Sequence, residues 1–575
     1  MRALLVLFLL IGFAFSKNYY ISKENGKISI ITDGIPLPKP LNEIIKNSKK
    51  GDKFFFKRGD YFKTSIEIKN KENLLFSSFG NPLKPPPIID ARTKIIIDEK
   101  SLEILYNPQI EEWKDESWRN LLNDFKNLTR ILSTKTREQI AKNFDEVRYF
   151  VSQIARFKLP LPKYGYYDPN AMRIFNDSKE ILRALFFEEL KCENCKNKIR
   201  WYFEKKSGYL YLFSLSPSID LKKAVENLYI NNNNLSAFSI INSKNIEIFN
   251  LDLKGGKYAL LIKGSKNIKA SNLTLGNYSF IGAYLTSNEN PSSDIKIEKC
   301  KIDSNFPFDY RFYSSRGSQD GVFLIGDVNN STVTKCDIYN WGHSGVTLYA
   351  PTIKHFVSKN TISLNKISGK NTPYMHGIIV DNKNCTHNKI VENLISDISA
   401  PNQLNGIENI FSKNIIMNVK NSKIKKDQGY GSGIAIQIQA YGENAAINNL
   451  IKDNSIYNCD QCAISIYDNG RDGEKRGNKF IANTFSNCSL SPFNTKEKNI
   501  FIEISKKNKD KIIDNIFVNN LFYNKKSNPL INYKGSILDI NSFNQIKGNE
   551  NNKIIPYLSV NKSLLIYYFE QKRRD

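Results

Sequence analysis

"STVTKCDIYNWGHSGVTLYA", residues 331–350, holds two strand-like runs separated by a short turn. "VTKCDIY" alternates apolar and polar residues around Cys336, and "HSGVTLY" does the same after small residues. Alternation of period two marks half-buried strands. The first run recurs as "IEIFNLDL" at Asn250, "IKASNLTL" at Asn272, "IEKCKID" at Cys300 and "VSKNTIS" at Asn360. It continues as "IVENLIS" at Asn393, "FSKNIIM" at Asn414, "IKDNSIY" at Asn454, "IANTFSN" at Asn483 and "FVNNLFY" at Asn520. Between these lie relatives of the second run: "DGVFLIG", "HGIIVDN", "GSGIAIQIQ" and "CAISIYDNG". The marks stand 21 to 40 residues apart. Several short strands and their turns in each interval make one coil of a parallel β-solenoid, whose stacked coils bury a core no single coil could.

Asparagines at one turn position of successive coils can stack into a ladder, each amide satisfying its neighbours. Cys300 and Cys336 stand at two such positions. Adjacent coils lie about 4.8 Å apart, within the Cα separation a disulfide accepts. The pair is therefore structural, either a disulfide or two stacked buried thiols. "CENC" (Cys192, Cys195) and "CDQC" (Cys459, Cys462) have zinc-like spacing but no surrounding His or Cys partners, so disulfides or free thiols are expected there.

The chain opens "MRALLVLFLLIGFAFS", with one cation, an apolar run and a small-x-small end, which reads as a secretory signal peptide cleaved before Lys17. The run is short for a membrane span, and no later segment is longer, so no transmembrane segment is expected. Export would end in the periplasm, at the cell surface or in the medium. The net charge is +26, or +25 once Arg2 leaves with the leader (26 minus one). For an exported chain this points away from nucleic acid and toward acidic polysaccharide or an anionic surface. General richness in Lys, Asn and Ile explains the charge equally well, since no concentrated basic tract occurs.

The repeat resembles the right-handed parallel β-helix proteins, the superfold of pectate lyases and polygalacturonases, over residues 41–100 and 235–525. The early match is "LNEIIKNSKKGDKFFFKRGDYFKTSIEIKN", where a helix closes the solenoid end before the first coils. "AMRIFNDSKEILRA" with "RWYFEKKSGYLYLFSLSPS" is similar to a β excursion found in such proteins. "DESWRNLLNDFKNLTRILS" and "TREQIAKNFDEVRYFVSQIARF" have helical apolar spacing and predict an inserted helical hairpin within 101–170. The expected fold is all-β, a right-handed parallel β-helix with that hairpin and excursion near the N-terminus. The expected division is signal peptide 1–16, cap and first coils 17–100, helical and β insertion 101–234, β-helix 235–525 and C-terminal cap or tail 526–575.

Aligned on the residue opening the second run, Asp320, His343/Ser344, His376, Asn405, Ser432 and Cys462 fall near one edge of a stacked sheet. Asp320, His343 and His376 come from three consecutive coils and span about 10 Å. A second column at the far strand end holds Tyr349, Asp381, Gln437, Gln439, Tyr467 and Asp468. Outward aromatics and polar groups suit sugar rings. The insertion "DSNFPFDYRFYSSRGSQ" adds Arg311, Tyr313 and Arg316 beside Asp320, and arginines there could clamp a uronate carboxylate. His355 and His387 read as turn or surface residues on another side. "QDG" (319–321) and "GHSG" (342–345) resemble polygalacturonase motifs in part, but that family's further acids and its Arg-x-Lys element have no counterpart.

These residues predict an exported carbohydrate-active protein, a lyase or epimerase on acidic, uronate-containing polysaccharide. His376 or His343 serves as base and Arg311 or Arg316 neutralises the carboxylate. Tyr313, Tyr349, Asp381, Gln437 and Tyr467 line the binding face. The alternatives are a glycoside hydrolase with Asp320 as acid, or a non-catalytic glycan-binding solenoid. Cofactor need stays open: Ca2+ is compatible with the fold, but no dense Asp cluster marks a site. Oligomeric state is not legible.

Overall fold

The computed structural model describes residues 16–106, 153–164, 172–176, 179–183, 199–204, 208–214, 216, 218–304, 319–369, 375–421, 433–440, 445–467, 473–489, 500–505, 512–524, 528–555 and 562–574. The leader, the body of the expected hairpin, Cys192, Cys195, Arg311, Tyr313, Arg316, Ser432 and Asp468 lie outside these residues.

The chain winds through three long sheets in turn, one of 22 strands and two of 13. One coil runs Lys244–Phe249 in the first sheet, Asp252–Lys254 in the second and Tyr258–Lys263 in the third. The next coil repeats this with Lys266–Ser271, Thr274–Gly276 and Ile281–Thr286. Pairing between coils is parallel and in register: Ile246 with Ile268, Leu253 with Leu275, Leu260 with Ala283. Every second residue therefore stacks inward, and these six side chains are at most 1% exposed. A fully buried Leu or Ile contributes roughly 1.5–3 kcal/mol, so the stacked columns drive folding where single coils could not. The chain is a parallel β-helix.

Two asparagine ladders hold the turns. Asn365, Asn393, Asn414, Asn454, Asn483 and Asn520 form one, each Oδ1 accepting the backbone N–H of the preceding rung at 2.9–3.0 Å. Cys336 is the rung before Asn365, donating its N–H to Asn365 Oδ1 at 2.9 Å, and Cys300 precedes it. The second ladder runs Asn360, Asn388, Asn409, Asn449 and Asn478. It continues a serine series, Ser243, Ser265 and Ser292, on earlier coils. Asn360 thus belongs to the second ladder, not beside Asn393. "NTISLN" carries two asparagines, and the next strand pairs Lys366 with Leu394, which fixes Asn365 opposite Asn393. Asn250 and Asn272 likewise sit one residue early, in left-handed turn geometry with φ of 57° and 50°. The rungs that follow them are the buried Leu251 and Leu273.

Cys300 and Cys336 are free buried thiols. Each is turned to a backbone carbonyl, Cys300 to Glu298 O at 3.4 Å and Cys336 to Thr334 O at 3.3 Å. Burial and the neighbouring Cys300 push the Cys336 thiol up.

Between Ile88–Asp90 of the second sheet and Ser236–Ile241 of the third, the chain leaves the solenoid and builds a separate eight-stranded sheet. Residues 153–157, which the apolar spacing assigns to a helix, belong to the strand Gln153–Lys158. That strand pairs antiparallel with Glu103–Tyr106 and Tyr209–Ser214, and the tertiary pairing overrides the local periodicity. Arg173 ties this sheet to the solenoid: its Nη1 donates to Tyr278 O at 2.6 Å and Ser304 O at 2.9 Å, while Glu180 pairs with the rest of the guanidinium. Phe280 of the solenoid packs against the core of this sheet.

The helix Leu41–Lys46 closes the N-terminal end, burying Leu41, Ile44 and Ile45. The helix Lys562–Arg574 returns to the side of the second sheet, where Phe569 is buried with Leu394 and Met417 and Arg573 pairs with Asp337 at 2.7 Å. No helix among the described residues is long and apolar enough to cross a membrane.

Candidate active site

The site stands on the outer face of the third sheet, on Asp320–Ile325, Ser344–Tyr349 and His376–Asp381. Val322 pairs with Val346, which sets Ser344 opposite Asp320, and Ser344 pairs with His376. Each strand continues with glycine, Gly321, Gly345 and Gly377. A Cβ at Gly345 would meet Ile367 Cγ2 at 2.6 Å and Gly377 O at 2.8 Å, so only glycine lets the strands stack this closely. This explains the "DG", "SG" and "HG" pairs of the sequence.

Asp320 is fully buried. Its Oδ1 accepts from the Ser344 N–H at 3.0 Å and faces His343 Nδ1 at 2.9 Å, while Oδ2 accepts from the Thr347 hydroxyl at 2.7 Å. A carboxylate can only accept, so His343 presents Nδ1–H to it and keeps Nε2 for the outer face. The His343 side chain is 27% exposed, the Asp320 side chain 0%, so His343 is the member that a solute can reach. Burial opposes the charged form of His343, but the Asp320 carboxylate outweighs it, and Asp381 adds to it, so the His343 pKa is raised.

His376 lies beside His343, ring centroids 5.4 Å apart. Its Nδ1 donates to Pro401 O at 2.7 Å, because a carbonyl cannot donate, and Nε2 is left as an acceptor. Burial and the neighbouring His343 lower its pKa to about 3, so the ring is neutral. Asp381 closes the same strand. Burial raises its pKa, against the Asn405 amide 3.2 Å away, the Asn382 N–H at 2.9 Å and the charge of His343. The face thus carries a carboxylate-backed imidazole, a neutral imidazole and a carboxyl group whose burial favours its protonated form.

Tyr349 pairs with Asp381 at the far strand end, as the spacing predicts. Gln437 does not join them. It pairs with Gln403 and Ser465, in line with Thr347 in mid-strand, and Gln439 lies two residues on, donating its N–H to Asn405 Oδ1 at 3.0 Å. Asn405 also moves, from the expected near column to Asp381, because Val380 pairs with Leu404. The turn before Asn402–Leu404 is too short to keep the other register. Tyr467 follows Gln439 and is 40% exposed. His355 and His387 stand elsewhere, bonded to Thr352 at 2.8 Å and Glu408 at 2.8 Å. Thr347 escaped the sequence reading, although its outward position three residues after Ser344 marks it. Among the described residues no group of three or more His, Cys, Asp or Glu is placed to hold a metal ion.

No known protein family matches the chain, and no curated protein matches it. Among solved structures, the GH136 lacto-N-biosidase of Eubacterium ramulus is 10% identical, covering 96% of this chain and 70% of its own, with a TM-score of 0.41. The GH87 α-1,3-glucanase of Streptomyces thermodiastaticus is 12% identical over 53% of this chain and 57% of its own, with a TM-score of 0.39. The DFA-IIIase of Arthrobacter chlorophenolicus A6 is 11% identical over 45% and 58%, with a TM-score of 0.33. This chain therefore spans less than two thirds of the last two. Likeness at this level transfers neither activity nor site, and the fold rests on the strand pairing itself.

Proposed function

We propose that this chain is an exported carbohydrate-active β-helix protein acting on acidic polysaccharide, by elimination or epimerisation at a uronate unit. The observation that carries the reading is the contact of 2.9 Å between His343 and the buried Asp320, on an outer face that also bears Asp381. In this scheme His343 Nε2 removes the proton from the carbon beside the uronate carboxylate. The electrons of that C–H bond form a carbon–carbon double bond as the glycosidic C–O bond breaks. Asp381, whose protonated form burial favours, is the group placed to give a proton to the departing oxygen. Proton transfer from His343 to Asp381 through solvent then restores both. In epimerisation the same carbanion is reprotonated on its opposite face.

His343 is favoured over His376 as base because basicity follows pKa, and His376 is held at about 3. Neutral His376 suits a hydrogen bond from a sugar hydroxyl to its Nε2. The neutralising role of Arg311 or Arg316 rests on their sequence position alone. Hydrolysis with Asp320 as acid is disfavoured, because Asp320 is buried with both oxygens bonded.

A screen of the purified chain against acidic polysaccharides, read by the ultraviolet absorbance of unsaturated uronates, tests this reading. Absorbance that grows with time supports elimination, and inverted uronate centres without it support epimerisation. Cleaved product without the absorbance supports hydrolysis, and binding without product supports the non-catalytic solenoid.

A further inference from the structure

Lys257 stands at the same edge of the third sheet as His343, one residue before the strand Tyr258–Lys263. The register Tyr258–Ile281–Asp320, continued to Ser344, sets it three strands from His343, or about 14 Å. Its ammonium lies 5.3 Å from the Tyr258 ring centroid and 5.4 Å from that of Phe280. No carboxylate among the described residues pairs with it, whereas Lys254, at the end of the preceding strand, pairs with Asp252 at 3.0 Å. Burial alone lowers its pKa, with no acidic neighbour opposing the shift. The two rings offset part of the cost of burying this cation, and an anion beside it would offset the rest.

Tyr258 stacks on Tyr284 with centroids 4.4 Å apart and 18° between planes. Tyr284 lies in line with Phe323 and Thr347 on the outer face. Phe280, by packing on the excursion core, places Lys257 in the corner where the eight-stranded sheet meets the solenoid. An aromatic pair offers the apolar face of a pyranose a surface, and the ammonium beside it offers a carboxylate a partner.

We propose that Lys257, Tyr258 and Tyr284 form a subsite for an anionic sugar unit, three strands from the His343 centre and on the same glycan path. The inference rests on the polysaccharide reading and adds a residue that selects charge. It implies that an acidic chain lies across the strands, parallel to the solenoid axis, and that its recognition does not depend on the reacting unit alone.

The test uses the full chain with oligosaccharides of galacturonate and of glucuronate, and with their methyl esters. Calorimetric affinities are compared for wild type, Lys257→Met and Lys257→Arg, with melting as a folding check. Lys257→Met should weaken binding of the acid forms at least tenfold, leave the esters within twofold and flatten the salt dependence, while Lys257→Arg retains the preference. Equal loss for acids and esters, or no loss, overturns the subsite while leaving the His343 reading intact. If wild type binds none of the acid forms, the polysaccharide reading and the subsite fail together.

Discussion

Asn393→Leu is expected to lower stability by about 2 kcal/mol, the middle of a range of about 0–4 kcal/mol, without creating a cavity. Asn393 is fully buried. Its Oδ1 accepts from the Asn365 N–H and from Asn365 Nδ2, both at 3.0 Å, and its Nδ2 donates to Ile362 O at 2.9 Å and Asn414 Oδ1 at 3.0 Å. Leucine removes all of these. Asn414 Oδ1 keeps the Asn393 N–H at 3.0 Å, and Asn365 Nδ2 keeps Val333 O at 2.9 Å. The Asn365 N–H and Ile362 O lose the partner that Asn393 supplied, at about 1–3 kcal/mol for each buried group. Burial of the leucyl side chain returns about 2 kcal/mol, which leaves the stated net. Leu251 and Leu273 fill the equivalent rung on earlier coils, where Cys300 and not asparagine follows, so the cost arises from interrupting a ladder and not from leucine at the turn. Urea unfolding followed by circular dichroism measures it as a lower midpoint at unchanged slope. An unchanged midpoint would refute the ladder as a source of stability.

Asp320→Asn removes the charge that favours protonated His343, so in NMR titration His343 should release its proton at lower pH than in wild type; an unmoved titration contradicts the pairing. The folded pKa of His376 is about 3 against an unfolded value near 6.5, so the unfolded chain binds more protons between these limits. Stability contributed by that group therefore rises with pH from about 3 to about 6.5. His376→Gln should flatten this limb of a plot of urea midpoint against pH, and a limb of undiminished slope would show that other groups cause it. Cys300 and Cys336 should alkylate without reduction once the chain is unfolded, as thiols bonded to carbonyls; a linked peptide under non-reducing conditions would contradict the free pair.

Much of the solenoid is legible because its signal is redundant. Each coil repeats inward Ile, Leu or Val at period two, and the ladder residues punctuate the turns. Where two asparagines share one turn, as at Asn360 and Asn365, only the pairing of the next strand chooses between them. The near edge of the site was also readable, since Asp320, Ser344 and His376 each open a strand before a glycine. The far edge was not: the short coil at Asn402–Leu404 shifts Asn405 to Asp381 and sets Gln439, not Gln437, in that column. The strand Gln153–Lys158 read as helix because its neighbours at Glu103–Tyr106 and Tyr209–Ser214 are distant in sequence. Lys257 was invisible in a chain with 83 lysines and arginines, and its half-buried place against the Tyr258 and Phe280 rings is what distinguishes it in the structure.

The most direct test of the central claim is turnover by His343→Ala on the acidic polysaccharide that wild type converts, normalised to folded protein. Positioned acid–base groups contribute about 10²–10⁴-fold. The account predicts a loss of that order per folded molecule with unchanged glycan affinity, and a fold that persists at a somewhat lower melting temperature, since Asp320 loses one partner but keeps the Ser344 N–H and the Thr347 hydroxyl. Turnover that merely tracks the folded fraction would contradict it and return His343 to the role of a turn residue held by Asp320.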